Sequence, residues 1–387
     1  MRPSPPVDLP VLTSLRFFAA AMIFVFHLRE FAPAPWLYAI APGMYHGVSF
    51  FFVLSGFVLT HAHLDRPVDA RRFYLARLAR IAPLHLATLA LLLAVLPLPA
   101  ARGQNLGAAE SLLSFVLKAS MLDGWAPTRA LLQSWNNVSW SISVEMAFYA
   151  AFPLLLPAMR RRPARTLAAV AAVSLGVLGA GVAAGLPLFS FDRDAPTLFN
   201  LGSCFPPARA FEFALGMATR LAWGRWLQQA PLSPRVWTIV EASALAGAAA
   251  WLLVAAPALV ERGEGAAFVW LRASGSCWLF AALLAVLAGG RGAFGRALAL
   301  RPFVALGEAS FAFYMAHMIV MRALRYHFGS GPGTVSALAL SLALAFLLHH
   351  AVEIPLRRRL LAWGARAATA SPAMALGVAG ATGLSKT

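Results

Sequence analysis

Long apolar runs, each broken by a short cluster of charge, proline or glycine, set the rhythm of this chain. They lie near 11–31, 47–64, 82–99, 139–158, 167–185, 205–223, 237–257, 267–289, 302–321 and 334–354. Each is close to the ~20 residues a helix needs to cross the hydrocarbon core of a bilayer. The pattern predicts an all-α polytopic membrane bundle of about ten transmembrane helices. The first run has the shape of a signal peptide, but the runs that follow predict a retained first span. Residues 108–122, AAESLLSFVLKASML, predict a helix lying on or dipping into the outer face.

Composition agrees with that pattern. Of 387 residues, 60% are hydrophobic and only 12% charged, half the charge of an ordinary soluble protein. A soluble globular class is excluded. The net charge of +17 does not point to nucleic acid, because the cations sit in short clusters between apolar runs and only two of the 32 are lysine. Alternate loops carry 21 and eight of them, with Arg16, Arg209 and Arg272 inside runs. That bias predicts both termini in the cytoplasm. Cys204 and Cys277 lie in or beside apolar runs, which points to neither a disulfide framework nor a metal site. No internal repeat stands out, which weighs against repeat-built transporter folds. Residues 1–360 read as one transmembrane domain and 361–387 as a flexible cytoplasmic tail.

Charged groups within spans are the informative residues, since each costs ~2.5–3.5 kcal/mol at a helix centre on insertion scales. In RFFAAAMIFVFH, Arg16 and His27 stand eleven positions apart. Those steps bring the helix ~20° past three turns and ~16.5 Å along its axis. Both side chains share one face and are expected to open on one hollow. Taken alone, Arg16 fits a snorkelling cation and His27 a satisfied structural histidine.

In GVSFFFVLSGFVLTH, Gly47 and the Ser55–Gly56 pair fit close helix packing. The next loop, RRFYLARLARIAPLH, sets Arg77 and Arg80 on one side if helical, with Arg72 in reach. Paired guanidiniums suit phosphate oxygens, and the positive-inside rule alone also accounts for them. His61, His63 and His85 read as interfacial and solvated. In NNVSWSISVEMAFYAAFP, Glu145 and Tyr149 share a face, and Trp140 sits at the outer interface. Glu145 needs a cation, a donor or a proton, and pairing with a histidine or arginine of another span is the natural solution. Glu212 has Arg209 three residues before it and is expected to be neutralised within its own helix. Ser310, Tyr314 and His317 form one polar stripe expected to face the bundle interior. Helix termination and ion pairing account for Glu353, just before Pro355 and an arginine triplet.

Taken together, these segments resemble the acyltransferase-3 family of integral-membrane O-acyltransferases, over roughly residues 9–360. The arginine–ten–histidine element is Arg16 and His27, and the R-x-x-R element is Arg77 and Arg80. WSISVEMAFYAAFP carries the family glutamate as Glu145, while SFAFYMAH and VEIP carry His317 and Glu353. One departure is visible. The family often has an acidic residue where Ser49 stands.

The resemblance implies transfer of an acyl group, usually acetyl, from cytoplasmic acyl-CoA to a hydroxyl. The acceptor would be an envelope glycan, a lipid-linked sugar or a secreted small molecule, and the setting a bacterial cytoplasmic membrane. On that reading acyl-CoA is a co-substrate and no cofactor is tightly bound. His27 becomes the catalytic base, with Glu145 or another buried carboxylate orienting its ring. Arg77 and Arg80 take the CoA phosphates, and the pantetheine arm passes Arg16. Tyr149, Ser310, Tyr314 and His317 line the substrate path. Direct transfer and an acyl-histidine intermediate both remain open. The rival classes are a transporter or flippase using the buried Arg, His and Glu as a path, and a non-catalytic scaffold.

Overall fold

The computed structural model describes residues 9–31, 34–65, 67–103, 107–262, 265–329 and 333–370. Among these residues the protein is built from helices; the sole extended pairing is an isolated bridge between Thr128 and Pro196. Ten helical rods form the bundle. The first six are α1 (Pro10–Leu28), α2 (Gly47–His63), α3 (Ala70–Val95), α4 (Trp140–Arg161), α5 (Pro163–Ala183) and α6 (Pro206–Ala222). The others are α7 (Pro234–Ala250), α8 (Gly265–Leu287, interrupted between Ser274 and Cys277), α9 (Ser310–Phe328) and α10 (Thr334–Leu348). Proline stands in the first turn of α1, α5, α6 and α7, where its missing N–H costs nothing and its fixed φ favours the helix.

Eight helices among the described residues are long and apolar enough to cross a membrane. A ninth arises if Arg301–Glu308 and α9, bent by 60° at Ala309, count as one broken span. The expected run near 205–223 is α6, continued by a π-helical turn over Trp223–Leu227. It falls below the apolarity of the others because it carries Arg209, Glu212 and Arg220, all of them buried. Neighbouring helices rather than lipid surround it, so its polarity is tolerated.

Three boundaries differ from the sequence reading. The arginine loop before the third span is helix: α3 starts at Ala70, capped by Asp69, whose Oδ1 accepts from the Arg72 amide at 3.1 Å. The ninth span is broken rather than straight. The tenth does not terminate at Glu353; it passes through a π-helical turn over His349–Glu353 and continues as Ile354–Ala370. That helix runs ten residues into the segment expected as a tail, and 371–387 lie outside the described residues.

The helices approach closely where glycine permits. A Cβ on Gly56 of α2 would sit 2.0 Å from the Phe213 carbonyl oxygen, and one on Gly216 of α6 would sit 1.9 Å from that of Val53. The α2–α6 pair is therefore in backbone contact, as small residues allow in membranes. This fixes the register of the bundle centre.

Candidate active site

α1, α2, α3, α4 and α9 line a cavity of about 120 Å³. Its polar wall is Arg16 from α1, Ser55 from α2, Arg77 and Arg80 from α3, Ser141, Glu145 and Tyr149 from α4, and Ser310 and Tyr314 from α9. Phe51, Phe52 and Phe311 supply much of the rest. Of the candidate site residues read from the sequence, Arg16, Arg77, Arg80, Glu145, Tyr149, Ser310 and Tyr314 converge here. Residues as far apart in the chain as Arg16 and Tyr314 meet on one surface.

The cavity is basic. Arg77 lies over the Tyr149 ring at 5.7 Å and the Phe73 ring at 5.9 Å. Its buried Nε has no hydrogen-bond partner, and an unsatisfied buried donor costs ~1–3 kcal/mol until a ligand or water meets it. Arg80 is ion-paired with Glu353 and sits over Phe311 at 5.8 Å. The expected pairing of Glu353 is thus met from α3. The π-helical turn also brings His349 Nδ1 to 2.9 Å from the same carboxylate. Arg72 points away, exposed and paired with Asp69 at 3.4 Å. Arg357, from the arginine triplet, lies near enough to Arg77 and Arg80 to repel both. No local pattern in the chain connects Arg357 to those two residues.

Glu145 takes hydrogen bonds from the Tyr149 hydroxyl and from Ser55 Oγ, the latter at 3.3 Å. Among the described residues no cation lies within 4.0 Å of it, so the expected ion pair with another span is corrected to a neutral hydroxyl cage. Its expected role in orienting His27 is corrected too. Glu145 shares the cavity with Arg16, whereas His27 stands about three helical turns further along α1.

The partner of His27 is His317, with Nδ1 of His27 3.1 Å from Nε2 of His317. His317 is fully buried, and its Nδ1 faces the Tyr314 carbonyl at 2.7 Å and that of Phe313 at 3.3 Å. Two acceptors at Nδ1 assign the His317 proton there, leaving Nε2 to accept from His27 Nδ1. Nε2 of His27 then keeps a free lone pair. Neither imidazole lines the cavity, so the expectation of one hollow shared by Arg16 and His27 is corrected. The link is Tyr314. Its side chain lines the cavity, its hydroxyl bonds the Val138 carbonyl at 3.0 Å and Ser141 Oγ at 2.8 Å, and its carbonyl holds His317 one turn beyond. Ser310, Tyr314 and His317 are all buried, as the polar stripe predicts.

Outside the cavity, Arg209 and Glu212 neutralise each other at 2.6 Å, both fully buried, and Ser49 donates to the same carboxylate. Where an acidic side chain would add a second negative charge, Ser49 adds a donor. His85 is not solvated. It is buried in α3 with Nε2 2.8 Å from the Lys118 carbonyl, and the Lys118 ammonium is buried against Asp123 at 2.6 Å. His61 accepts from Arg220 Nε at 2.8 Å, and His63 Nδ1 faces the Leu59 carbonyl at 3.0 Å. Ser55, Ser141 and Arg357 escaped the sequence reading as site residues, because a serine in an apolar helix or one arginine of a triplet carries no signal of its own.

The family profile described as "Acyltransferase domain" matches residues 10–350. "Acyltransferase MdmB" of Streptomyces mycarofaciens is 31% identical over 389 residues, covering 92% of this chain and 93% of that protein. "O-acetyltransferase OatA" of Staphylococcus aureus is 22% identical over 376 residues, and the match spans 92% of this chain but 58% of that protein. "Nodulation protein 10" of Rhizobium leguminosarum bv. viciae is 27% identical over 337 residues, 80% of this chain and 82% of that protein. No solved structure matches. The profile spans the cavity and both histidines, and the chain belongs to the acyltransferase-3 family as a multi-pass integral-membrane acyltransferase.

Proposed function

We propose that this protein transfers an acetyl group from acetyl-CoA to a hydroxyl of an envelope glycan, a lipid-linked sugar or a secreted small molecule, in a bacterial cytoplasmic membrane. The observation that carries the reading is the basic cavity closed by Tyr314, one helical turn from a histidine pair with a free imidazole nitrogen. CoA is a polyanion on a long arm. Arg77, Arg80 and Arg357 suit its phosphates at the mouth, where charge-assisted bonds are strong. Arg16 is the next cation inward; Tyr314 stands between the cavity and His27, so on this reading the thioester reaches His27 once the Tyr314 side chain swings aside. The word O-acetyltransferase in the name of the OatA relative supports acetyl as the group moved.

In direct transfer the acceptor oxygen bonds to the thioester carbon while His27 Nε2 takes its proton. The C–S bond then breaks, and the imidazolium returns the proton to the departing thiolate. His317 accepts from His27 Nδ1 throughout, so it holds the ring and stabilises the imidazolium, as a carboxylate does in a serine-hydrolase triad. An acyl-histidine route uses the same nitrogen as nucleophile. The cytoplasmic side of the cavity follows from the arginine bias of the loops.

Purified protein in lipid nanodiscs, given labelled acetyl-CoA and extracted envelope glycans, tests the reading. Acceptor-dependent release of CoA with one acetyl added to the acceptor supports it. Thioester left intact by the wild-type protein with every acceptor fraction refutes it and returns the transporter reading.

A further inference from the structure

A second hollow lies on the opposite side of α4 from the cavity. α4 and α5 form a hairpin joined at Arg162 and Pro163, with α6 beneath, and they leave a groove of about 840 Å³. Its walls are apolar and made low by alanine, including Ala151 and Ala158 on α4 and Ala169 on α5. Trp125 closes one end, beside the start of α4, where the Gly124 amide bonds Ser143 Oγ at 3.1 Å. Arg161, Arg162 and Arg165 line the other end. From Ala147 to Arg161 the groove follows 14 residue steps along α4, ~21 Å of helix. One leaflet of a ~30 Å hydrocarbon core is shorter than that.

Charge decides the occupant. The three arginines are exposed, no carboxylate lines the groove, and among the described residues none lies within 4.0 Å of them. A zwitterionic lipid such as phosphatidylcholine carries a quaternary ammonium beside its phosphate, which three clustered guanidiniums repel, whereas an anionic headgroup brings no such cation. A phosphate would take paired guanidinium bonds. We infer that this groove is a binding site for an anionic phospholipid, its phosphate on Arg161, Arg162 and Arg165 and an acyl chain laid between α4 and α5 toward Trp125. The site is separate from the proposed acetyl-CoA cavity and does not depend on that reading.

The full chain, purified in a neutral detergent, is titrated with dioleoylphosphatidylglycerol, dioleoylphosphatidylcholine or inorganic phosphate. Native mass spectrometry and thermal unfolding are the readouts. Phosphatidylglycerol is expected to stay bound and raise Tm, while phosphatidylcholine and phosphate do neither. Arg161→Gln with Arg162→Gln and Arg165→Gln should lower retention by at least about tenfold without moving the lipid-free Tm. Ala158→Phe with Ala169→Phe, which fills the trough and leaves the charge, should lower it similarly. Equal retention of phosphatidylcholine overturns the proposal, as does undiminished retention in either variant. A Tm rise from phosphate alone overturns it too, by making the arginines a free-anion site.

Discussion

His27 of α1 and His317 of α9 face each other with their ring nitrogens 3.1 Å apart, 290 positions distant in the chain. His317 owes its orientation to the backbone carbonyls of its own helix, so a carboxylate is not needed to set the tautomer of His27. Two neutral rings also avoid the cost of a buried carboxylate without a cation, which would be several kcal/mol.

His27→Ala should abolish acyl transfer, a loss of ~10²–10⁴-fold, with the protein still inserted and folded. Acceptor-dependent CoA release measures it; normal turnover in this variant would defeat the mechanism.

His317 touches no substrate in the proposed reaction and acts through His27. His317→Ala should lower kcat by about a hundredfold with little change in the KM for acetyl-CoA. The pH–rate profile should also move, because the imidazolium loses its acceptor. A mutation that only loosened packing would raise KM and lower Tm without moving the profile.

Arg77 has an unpaired buried Nε and Arg16 no carboxylate within 4.0 Å among the described residues. Replacing either with alanine should weaken acetyl-CoA binding by ~10–100-fold, the worth of one charged hydrogen bond. Titration calorimetry with CoA reads this directly. Unchanged affinity in Arg77→Ala would return that arginine to a purely topological role.

The Arg209–Glu212–Ser49 cluster should be structural. Glu212→Ala leaves a fully buried guanidinium unpaired and should cost ~3–5 kcal/mol. Ser49→Ala removes one hydrogen bond to that carboxylate and should cost about 1 kcal/mol. Thermal unfolding in detergent ranks the two; equal shifts would contradict the order.

Much of the fold was legible because span length and charge bias are properties of short stretches. Ten apolar runs in the sequence fall on ten helical rods among the described residues; eight are long and apolar enough to cross a membrane, α9 joins them only with the bent helix before it, and the remaining one is α6, whose buried Arg209 and Glu212 were visible as an i, i+3 pair. The stripe of Ser310, Tyr314 and His317 was equally readable, since helical period alone sets those side chains on one face.

Partners were not readable. His85 looked solvated at the edge of a run, yet α3 begins at Ala70 and carries it into the interior, against the Lys118 carbonyl. Glu145 needed a cation, a donor or a proton, and where the sequence favoured a cation the structure supplies hydroxyl donors. Arg16 and His27 share a face of α1, but helices packed over that face give one the cavity and the other His317.

By itself the sequence determined that the chain crosses a bilayer many times, and which side chains each helix turns inward. Only the tertiary structure decided who meets whom. Period and hydropathy act within one helix, whereas a partner depends on the rotation and depth of one helix against another. Those are set by contacts such as Gly56 against the Phe213 carbonyl, between residues that no local pattern connects.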